Sequence, residues 1–445
     1  MTHTPAPVDD SVRDDFNQRL LSFLGASPTP FHAVANIAKA LDGAGFVRLD
    51  ESRQWHLAEG ERYYCTRNGS SVIAFTMGAA AIDEHGIRMV GAHTDSPCLM
   101  VKPQPEIDTR GYIKLGVEVY GGALLNPWFD RDLSIAGRIV YRLGDSLHQA
   151  LVDFGEPVAV IPSLAIHLDR QANENRSINP QTDIPPLLFQ AGEGRPSDFR
   201  ELLAARFLAD RPGAEVLDYD LCCYDTQKPA VVGLYGDFIA SARLDNLLSC
   251  FIGLESIIAA GGQQTALLVC NDHEEVGSAS ACGAQGPMLA SVLERIIPEA
   301  ERRTRVIGRS LMVSADNAHG VHPNFPGKHD ENHGPVLNQG PVIKVNARQR
   351  YATSGVTGAL FRQLASEVDV PVQSFVARSD MGCGSTIGPI TASEVGVPTL
   401  DVGVPTFAMH SIRELAGVAD AWALRKILGH FYNRGDPLAV AELSL

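Results

Sequence analysis

The chain has 445 residues, of which 45% are hydrophobic and 20% charged, as expected for a globular protein of two or three domains. Its formal net charge of -15 argues against nucleic acid as a partner, because binding to phosphates needs a basic surface. The eight cysteines form no C-x-x-C pair, which favours scattered thiols in a reducing compartment over a disulfide framework.

The sequence gives no sign of export or of insertion into a membrane. Its N-terminus lacks a basic stretch followed by an apolar one, so we expect no secretory signal. The longest apolar helical stretch, 247–260, is interrupted by Glu255 and is too short to span a bilayer. We therefore expect a cytoplasmic protein with no membrane partner.

The N-terminal part of the chain predicts alternating helices and strands. Helices are predicted at 14–24 and 31–41, and strands at 71–77 and 87–92. The second strand leads directly into a histidine and an aspartate. This part of the chain therefore has the pattern of an α/β protein.

The middle of the chain differs in character. Short segments of alternating polarity, such as 113–120 and 135–141, are separated by Gly and Pro turns. The segment 169–196 is polar and Pro-rich and predicts long loops. Residues 97–232 are therefore expected to form an inserted β-rich domain.

Helices and strands alternate again after residue 234. The pattern predicts helices at 245–260, 288–297, 357–368 and 419–431, and strands at 265–270, 310–315, 342–345 and 399–403. Such alternation is typical of a mostly parallel sheet flanked by helices. We expect residues 1–96 and 233–445 to form one α/β domain, interrupted by the insertion.

Residues that commonly bind metals follow several of the predicted strands. In an open α/β sheet, ligands bind beyond the carboxyl ends of the strands, so these side chains are expected to converge. Each has an ordinary alternative when taken singly, such as a helix cap, a loop carboxylate or a packed loop histidine. Their joint placement favours a metal site, and they are His93, Asp95, Asp245, Glu274, Glu275, Asp316 and His410.

The predicted ligand set combines histidine nitrogen with carboxylate oxygen and contains no cysteine. This mixture suits zinc, manganese or cobalt in a catalytic site, and its size suits two ions that share one carboxylate. The neighbouring carboxylates Glu274 and Glu275 allow one to bind metal and the other to transfer protons. In His93-x-Asp95 the carboxylate is placed to orient the imidazole ring.

Five ordered motifs resemble those of the aspartyl aminopeptidase family of cytosolic dinuclear metallo-aminopeptidases, in its bacterial form. They are GAHTDSP at 91–97, SARLDNLLS at 241–249, NDHEEVGS at 271–278, SADNAHGVHPN at 314–324 and AMHSIRE at 408–414. The resemblance extends from about residue 15 to 440. It implies a zinc-exopeptidase-like fold and removal of N-terminal Asp and Glu from peptides.

The resemblance also implies a role for each site residue. Asp245 bridges two divalent ions, expected to be zinc with cobalt or manganese as alternatives. His93 and Asp316 complete the shell of one ion, and Glu275 and His410 that of the other. Glu274 is the general base, and Asp95 supports His93.

Three further residues are assigned to the substrate by the same resemblance. Lys344 meets the acidic side chain of the substrate, and Tyr351 lines the same pocket. His167, in the insertion, reaches the active site of a partner subunit within a dodecamer built from dimers. From the residues alone, Lys344 could instead be an edge-strand lysine facing solvent, and His167 a surface-strand histidine.

Other functions remain open at this stage. A neutral aminopeptidase or an N-acyl amino acid deacylase has the same dinuclear site, and a non-catalytic scaffold could keep the fold. The segment HDENH at 329–333 departs from the H-E-x-x-H zinc motif, since its Glu is misplaced and it lies in a Pro/Gly loop. The segment MGCGSTIG at 381–388 lacks the spacing of a dinucleotide fingerprint and predicts a loop with backbone donors facing the substrate.

Overall fold

The computed structural model describes residues 10–195 and 198–438. The chain divides into two compact units. The first comprises Met1–Asp95, Pro229–Met409 and Glu414–Leu445, and the second Ser96–Lys228 and His410–Arg413.

Ten α-helices are present in the described residues. They are α1 Asp10–Gly25, α2 Pro30–Gly43, α3 Ile82–His85, α4 Phe199–Phe207, α5 Leu244–Ile258, α6 Met288–Ile296, α7 Ala300–Gly308, α8 Gly355–Ser366, α9 Ile387–Val395 and α10 Asp420–Asn433. Local capping fixes several of their ends. Thr29 caps α2 by accepting from the backbone N–H of His32, and Pro30 opens the helix.

The strands up to the end of the insertion are β1 Val47–Arg48, β2 Arg62–Arg67, β3 Ser71–Thr76, β4 Arg88–His93, β5 Cys98–Thr109, β6 Tyr112–Tyr120, β7 Leu133–Leu143, β8 Ser146–Asp153, β9 Leu187–Gln190 and β10 Glu215–Asp225. The later strands are β11 Ala230–Val232, β12 Phe238–Ser241, β13 Ala266–Asn271, β14 Leu311–Ala315, β15 Ala318–His319, β16 Val342–Lys344, β17 Gln373–Phe375, β18 Thr399–Gly403, β19 Pro405–Phe407 and β20 Glu414–Gly417.

The first unit is built on a nine-stranded sheet with the order β1-β2-β3-β13-β4-β14-β18-β16-β17. Its centre, β13-β4-β14-β18, is parallel throughout. Antiparallel pairs join β2 to β3, β3 to β13 and β16 to β18. The expected mostly parallel α/β sheet is thus confirmed.

Helices cover both faces of this sheet because its central strands are apolar on both sides. Leu268 of β13 packs into one cluster with residues of α1, α2, α5, α8 and α10. Leu267 and Val269 face the opposite way and pack against α6. This alternation follows from the two-residue period of a strand, and it buries the central strands β13, β4, β14 and β18.

The first unit also contains a smaller sheet of order β11-β12-β20-β19-β15. No helix in the described part of the chain is long and apolar enough to cross a membrane. The eight cysteines, all within the described residues, form no disulfide bond.

The second unit is an antiparallel six-stranded sheet of order β8-β7-β10-β5-β6-β9. Its core includes Trp128, Ile135 and Leu203, all buried. The prediction of long loops at 169–196 was wrong at β9, which pairs with β6. The apolar run Leu187–Phe189 is short and lies in a Pro-rich context, so the local pattern did not predict a strand. Its pairing with β6 stabilises the strand.

Candidate metal centre

Three parallel strands bring their carboxyl ends to the same edge of the main sheet. His93 ends β4 and pairs in register with Asn271 of β13, while Gly91 pairs with Ser314 of β14. Glu274 therefore follows β13 only a short distance from His93, and Asp316 follows β14 on the other side.

Asp245 reaches the same edge from the start of α5. Its backbone is not helical, it follows Arg243 in the left-handed region (φ 59°), and its peptide bond to Asn246 is cis. The Asp245 N–H donates to Glu414 Oε2 at 2.9 Å, and Asn246 Nδ2 donates to the Ala315 carbonyl at 2.9 Å. Arg243, at the N-cap position of α5, makes no capping hydrogen bond with its side chain, and regular helical geometry begins after Asn246.

His93 lies at the centre of the cluster. Its Nε2 is 3.4 Å from Asp245 Oδ1 and 3.5 Å from Asp316 Oδ1. All three residues are buried, and one ligand atom of each lies within 4.8 Å of the others. Glu274 and Glu275 form a second group of the same kind with His93.

Asp95 contacts both His93 and the turn that carries the two glutamates. His93 Nδ1 lies 3.3 Å from Asp95 Oδ1 and 3.1 Å from the Asp95 carbonyl oxygen. The carboxylate also accepts from the backbone N–H groups of Glu274 and Glu275, at 3.1 and 3.0 Å. These acceptors would keep the ring proton on Nδ1 when Nε2 binds a metal ion.

The cluster concentrates negative charge in a buried place. Burial, together with the neighbouring Asp316, Asp95 and Asp245, raises the pKa of Glu274 to about 7 although His93 opposes this shift. Burial and Asp245 raise the pKa of Glu275 well above its ordinary value. Such crowding is costly unless a cation lies among the carboxylates.

The donor set fits a divalent metal. Oδ1 of Asp316 is buried and makes no hydrogen bond within the described chain, while its Oδ2 accepts from Lys344. A carboxylate oxygen held in this way, beside the Nε2 of His93 and a second carboxylate, matches the nitrogen and oxygen ligands of catalytic zinc. His93, Asp245, Asp316, Glu274 and Glu275 are therefore the residues of the first unit that could hold metal.

Lys344 lies inside the sheet, and the alternative of an edge-strand lysine facing solvent was wrong. Strand β16 has β18 and β17 on its two sides, and Lys344 is only 2% exposed. Its Nζ donates to Asp316 Oδ2 at 3.2 Å and to the Asn317 carbonyl at 3.1 Å. Burial alone would raise the pKa of Asp316, but Lys344 and His93 hold it well below its ordinary range.

Tyr351 lies against Lys344. Its ring is 5.0 Å from Lys344 Nζ, within the range of a cation–π contact. Tyr351 is buried beside Phe375 and Val342, and burial raises the pKa of its hydroxyl far above the ordinary value. Two of the three residues that the resemblance assigns to the substrate are thus neighbours.

The two remaining predicted histidines belong to the second unit. His410 has a left-handed backbone (φ 67°), and its Nδ1 lies 3.3 Å from the Gly122 carbonyl oxygen. His167 is exposed in a turn, so the alternative of a surface-strand histidine was wrong about the strand. Leu164 and Leu168 on the same loop are also exposed, by 58% and 75%.

Sequence reasoning gave no role to Glu414 or His319. Glu414 is 2% exposed and holds the backbone of Asp245 in place, although it lies within the quoted motif AMHSIRE. Its position in the same motif as His410 was the available signal. His319 lies in β15, three residues after Asp316, and lines a pocket.

The segment HDENH forms no helix, as expected from its Pro/Gly context. His333 pairs with Asp330 at 2.6 Å, and neither belongs to a group of potential metal ligands among the described residues.

A buried group of imidazole and carboxylate ligands at the carboxyl edge of a mostly parallel α/β sheet is typical of a metallohydrolase. Comparison with known proteins defines the class further. The family model described as Aminopeptidase I zinc metalloprotease (M18) matches residues 23–432. The chain belongs to this M18 family, whose members are zinc metallo-aminopeptidases.

Relatives with about 60% identity are named as members of the same family. A probable M18 family aminopeptidase 2 of Stutzerimonas stutzeri (strain A1501) is 59% identical over 432 residues, covering 96% of this chain and 100% of the relative. The protein of the same name in Pseudomonas aeruginosa (strain UCBPP-PA14) is 60% identical over 427 residues, with coverage of 96% and 100%.

Solved structures share the fold along nearly the whole chain. A chain in the cryo-EM structure of the Ape4 and Nbr1 complex is 36% identical with a TM-score of 0.92, covering 96% of this chain and 87% of that one. A chain in the S. cerevisiae mApe1 dodecamer is 29% identical with a TM-score of 0.80, with coverage of 95% and 97%.

Proposed function

We propose that this M18 aminopeptidase removes N-terminal Asp and Glu from peptides, using two divalent ions bound at the cluster around His93. The observation that carries the proposal is Lys344, an ammonium group buried beside the predicted ligand Asp316. Two of its three N–H donors have acceptors in the described chain, so one donor is available for a substrate carboxylate.

Two ions account for the ligand set better than one. His93, Asp245 and Asp316 supply one shell, and Glu275 with Asp245 supplies part of a second. The resemblance to the aspartyl aminopeptidases adds His410 as the remaining ligand. Zinc is the proposed metal, in keeping with the family description, and cobalt and manganese accept the same ligands.

The chain's own residues move the protons. Bound divalent ions polarise the scissile carbonyl and make water more acidic. Glu274 accepts a proton from the attacking water and returns it to the leaving amine, a role typically worth about 10²- to 10⁴-fold in rate. Asp95 positions His93 and Glu274, because its carboxylate lies against the ring of His93 and accepts from the backbone N–H of Glu274.

Selection of acidic substrates depends on the cost of an unpaired charge. When the substrate side chain is neutral, the third donor of Lys344 stays buried without an acceptor, which disfavours that complex. Tyr351 closes the same side of the site, since its ring faces the ammonium group.

A neutral aminopeptidase is the second candidate, and one observation favours it. Lys344 is already paired with Asp316, so its positive charge is compensated before any substrate binds. In that case Lys344 would serve only to hold a metal ligand.

The β-rich unit is proposed to assemble dimers into a dodecamer, and the catalytic residues and the metal ligands other than His410 to lie in the α/β unit. Support comes from the loop that carries His167, where Leu164, Ile166 and Leu168 are all exposed. Contiguous exposed apolar side chains are typical of interaction surfaces. By the resemblance, this loop brings His167 to the active site of a partner subunit.

The test compares hydrolysis of Asp-Leu with that of its neutral isostere Asn-Leu, together with a metal count by mass spectrometry. The proposal predicts two ions per chain and a kcat/KM at least about 100-fold higher for Asp-Leu. Equal rates for the two peptides would favour the neutral aminopeptidase.

A further inference from the structure

A pocket of about 280 Å³ opens next to the metal cluster within the first unit. His319 forms part of its wall three residues after Asp316, and Met409 forms another part. Burial and Lys344 lower the pKa of His319, while Asp245 and Asp316 act to raise it. The ring of His319 therefore lies within the electrostatic range of the cluster.

The lining of the pocket includes several basic side chains and no carboxylate. Its polar side chains are Lys328, Arg378, Thr406, His319, His322 and His329. Arg378 is held by Asp380 through two hydrogen bonds of 2.9 and 2.7 Å, which offsets its charge. Lys328 is exposed, and its ammonium makes no ion pair or hydrogen bond with another described residue.

The pocket also offers unused hydrogen-bonding capacity. His329 Nδ1 is buried and has no hydrogen-bond partner within the described chain. Burial and the nearby His322 lower the pKa of His329, so at neutral pH the imidazole is uncharged and keeps one N–H donor. Together with the ammonium of Lys328, this donor suits an anionic oxygen.

The pocket also has apolar lining residues, among them Phe375, Ala377, Met381 and Phe407. Basic and apolar side chains in one pocket fit a ligand with a hydrocarbon side chain and a carboxylate. The volume is slightly below the roughly 300–1,000 Å³ usual for small-molecule sites, which suits one or two amino-acid residues.

We infer that this pocket binds the residue that follows the cleaved bond, with its apolar side chain against Phe375 and its free C-terminal carboxylate at Lys328 and His329. The enzyme then acts best on dipeptides, since only these have the terminal carboxylate on the residue next to the scissile bond. The inference rests on the proposed function, because it takes the metal cluster as the place of cleavage.

The test measures binding separately from cleavage. The metal-loaded Glu274→Gln variant is titrated calorimetrically with Asp-Leu and with Asp-Leu-amide, which lacks the terminal charge. The same titrations are made with the double variant Glu274→Gln/Lys328→Met. The matched control is Glu274→Gln/Lys39→Met, since Lys39 is an exposed lysine on α2.

We expect the free acid to bind about tenfold more tightly than the amide, which is the size of one charge-assisted contact. Lys328→Met should abolish this difference, and Lys39→Met should keep it. Equal affinities for acid and amide, or a preference that survives Lys328→Met, would overturn the inference.

Failure of the proposed function gives a different result. If wild-type enzyme cleaves neither peptide while the binding preference and its loss in Lys328→Met are observed, the pocket stands and the cleavage assignment falls. If cleavage is observed without a binding preference, the cleavage assignment stands and the inference about the pocket falls.

Discussion

Lys344 donates a hydrogen bond to Oδ2 of Asp316 at 3.2 Å, while Oδ1 of the same carboxylate lies 3.5 Å from Nε2 of His93. The residue proposed to select the substrate is thus bonded to a residue proposed to bind metal. Changes at Lys344 should therefore affect both metal affinity and specificity.

Lys344→Met should weaken metal binding. Residues that orient metal ligands typically contribute 10- to 100-fold to affinity, and we expect a loss of about that size. Competition with a chromophoric chelator measures it, and Lys39→Met on the surface of α2 provides the control. An unchanged metal affinity in Lys344→Met would show that the ion pair does not position Asp316.

Glu274→Gln should keep the metals and lose activity. The amide cannot accept the proton from water, so kcat should fall by about 10²- to 10⁴-fold while metal content stays the same. Glu84→Gln, at an exposed position in α3, is the matched control. Activity of Glu274→Gln equal to that of the wild type would contradict the assignment of the general base.

Much of the fold could be predicted because apolar periodicity reports burial directly. The strand predicted at 399–403 is β18 as observed, and the helix predicted at 31–41 lies within α2. Short elements were missed where the local pattern is weak. Helix α7 is one example, since only Val306 of its nine residues is buried.

The candidate site could be predicted only in part. Ligand-type residues at strand ends are visible in the sequence, because the local pattern marks where each strand stops. The pairing of Lys344 with Asp316 was not predictable, since it depends on β18 separating β14 from β16. Strand order is set by long-range packing, which a single sequence does not reveal. The pocket lined by His319 and Phe375 could not be predicted for the same reason.

Removal of metal should destabilise the protein. Ligands that bind only the folded state stabilise it by about 4 kcal/mol at a thousandfold excess over Kd. Chelation should therefore lower Tm in scanning calorimetry, and added zinc should restore it. A Tm that is the same with and without chelator would argue against a metal bound at His93, Asp245 and Asp316.

Asp420 should make stability depend on pH. It is fully buried at the start of α10 and accepts from the backbone N–H groups of Asn338 and Gly340. Burial raises its pKa to about 7, so the folded state holds this proton more tightly than the unfolded state, where an Asp has a pKa near 3.9. Its contribution is fully present below about pH 4 and is lost as the pH rises toward 7.

The free energy of unfolding of wild type relative to Asp420→Asn should then fall by up to about 1.4 kcal/mol per pH unit between pH 4 and 7. Urea unfolding of both proteins at several pH values, with the same metal present, measures this difference. A difference that stays constant across the range would mean that Asp420 does not titrate there.

The central claim is that a buried lysine beside the metal cluster selects acidic N-terminal residues. The most direct test is kcat/KM for matched dipeptides beginning with Asp, Glu and Leu, measured with metal-loaded wild type and with Lys344→Met. A site built around a buried charge can reject an analogue that lacks its partner by up to about 10⁴-fold. We predict a strong preference for Asp and Glu that the substitution abolishes, whereas equal cleavage of Leu and Asp by the wild type would contradict the account.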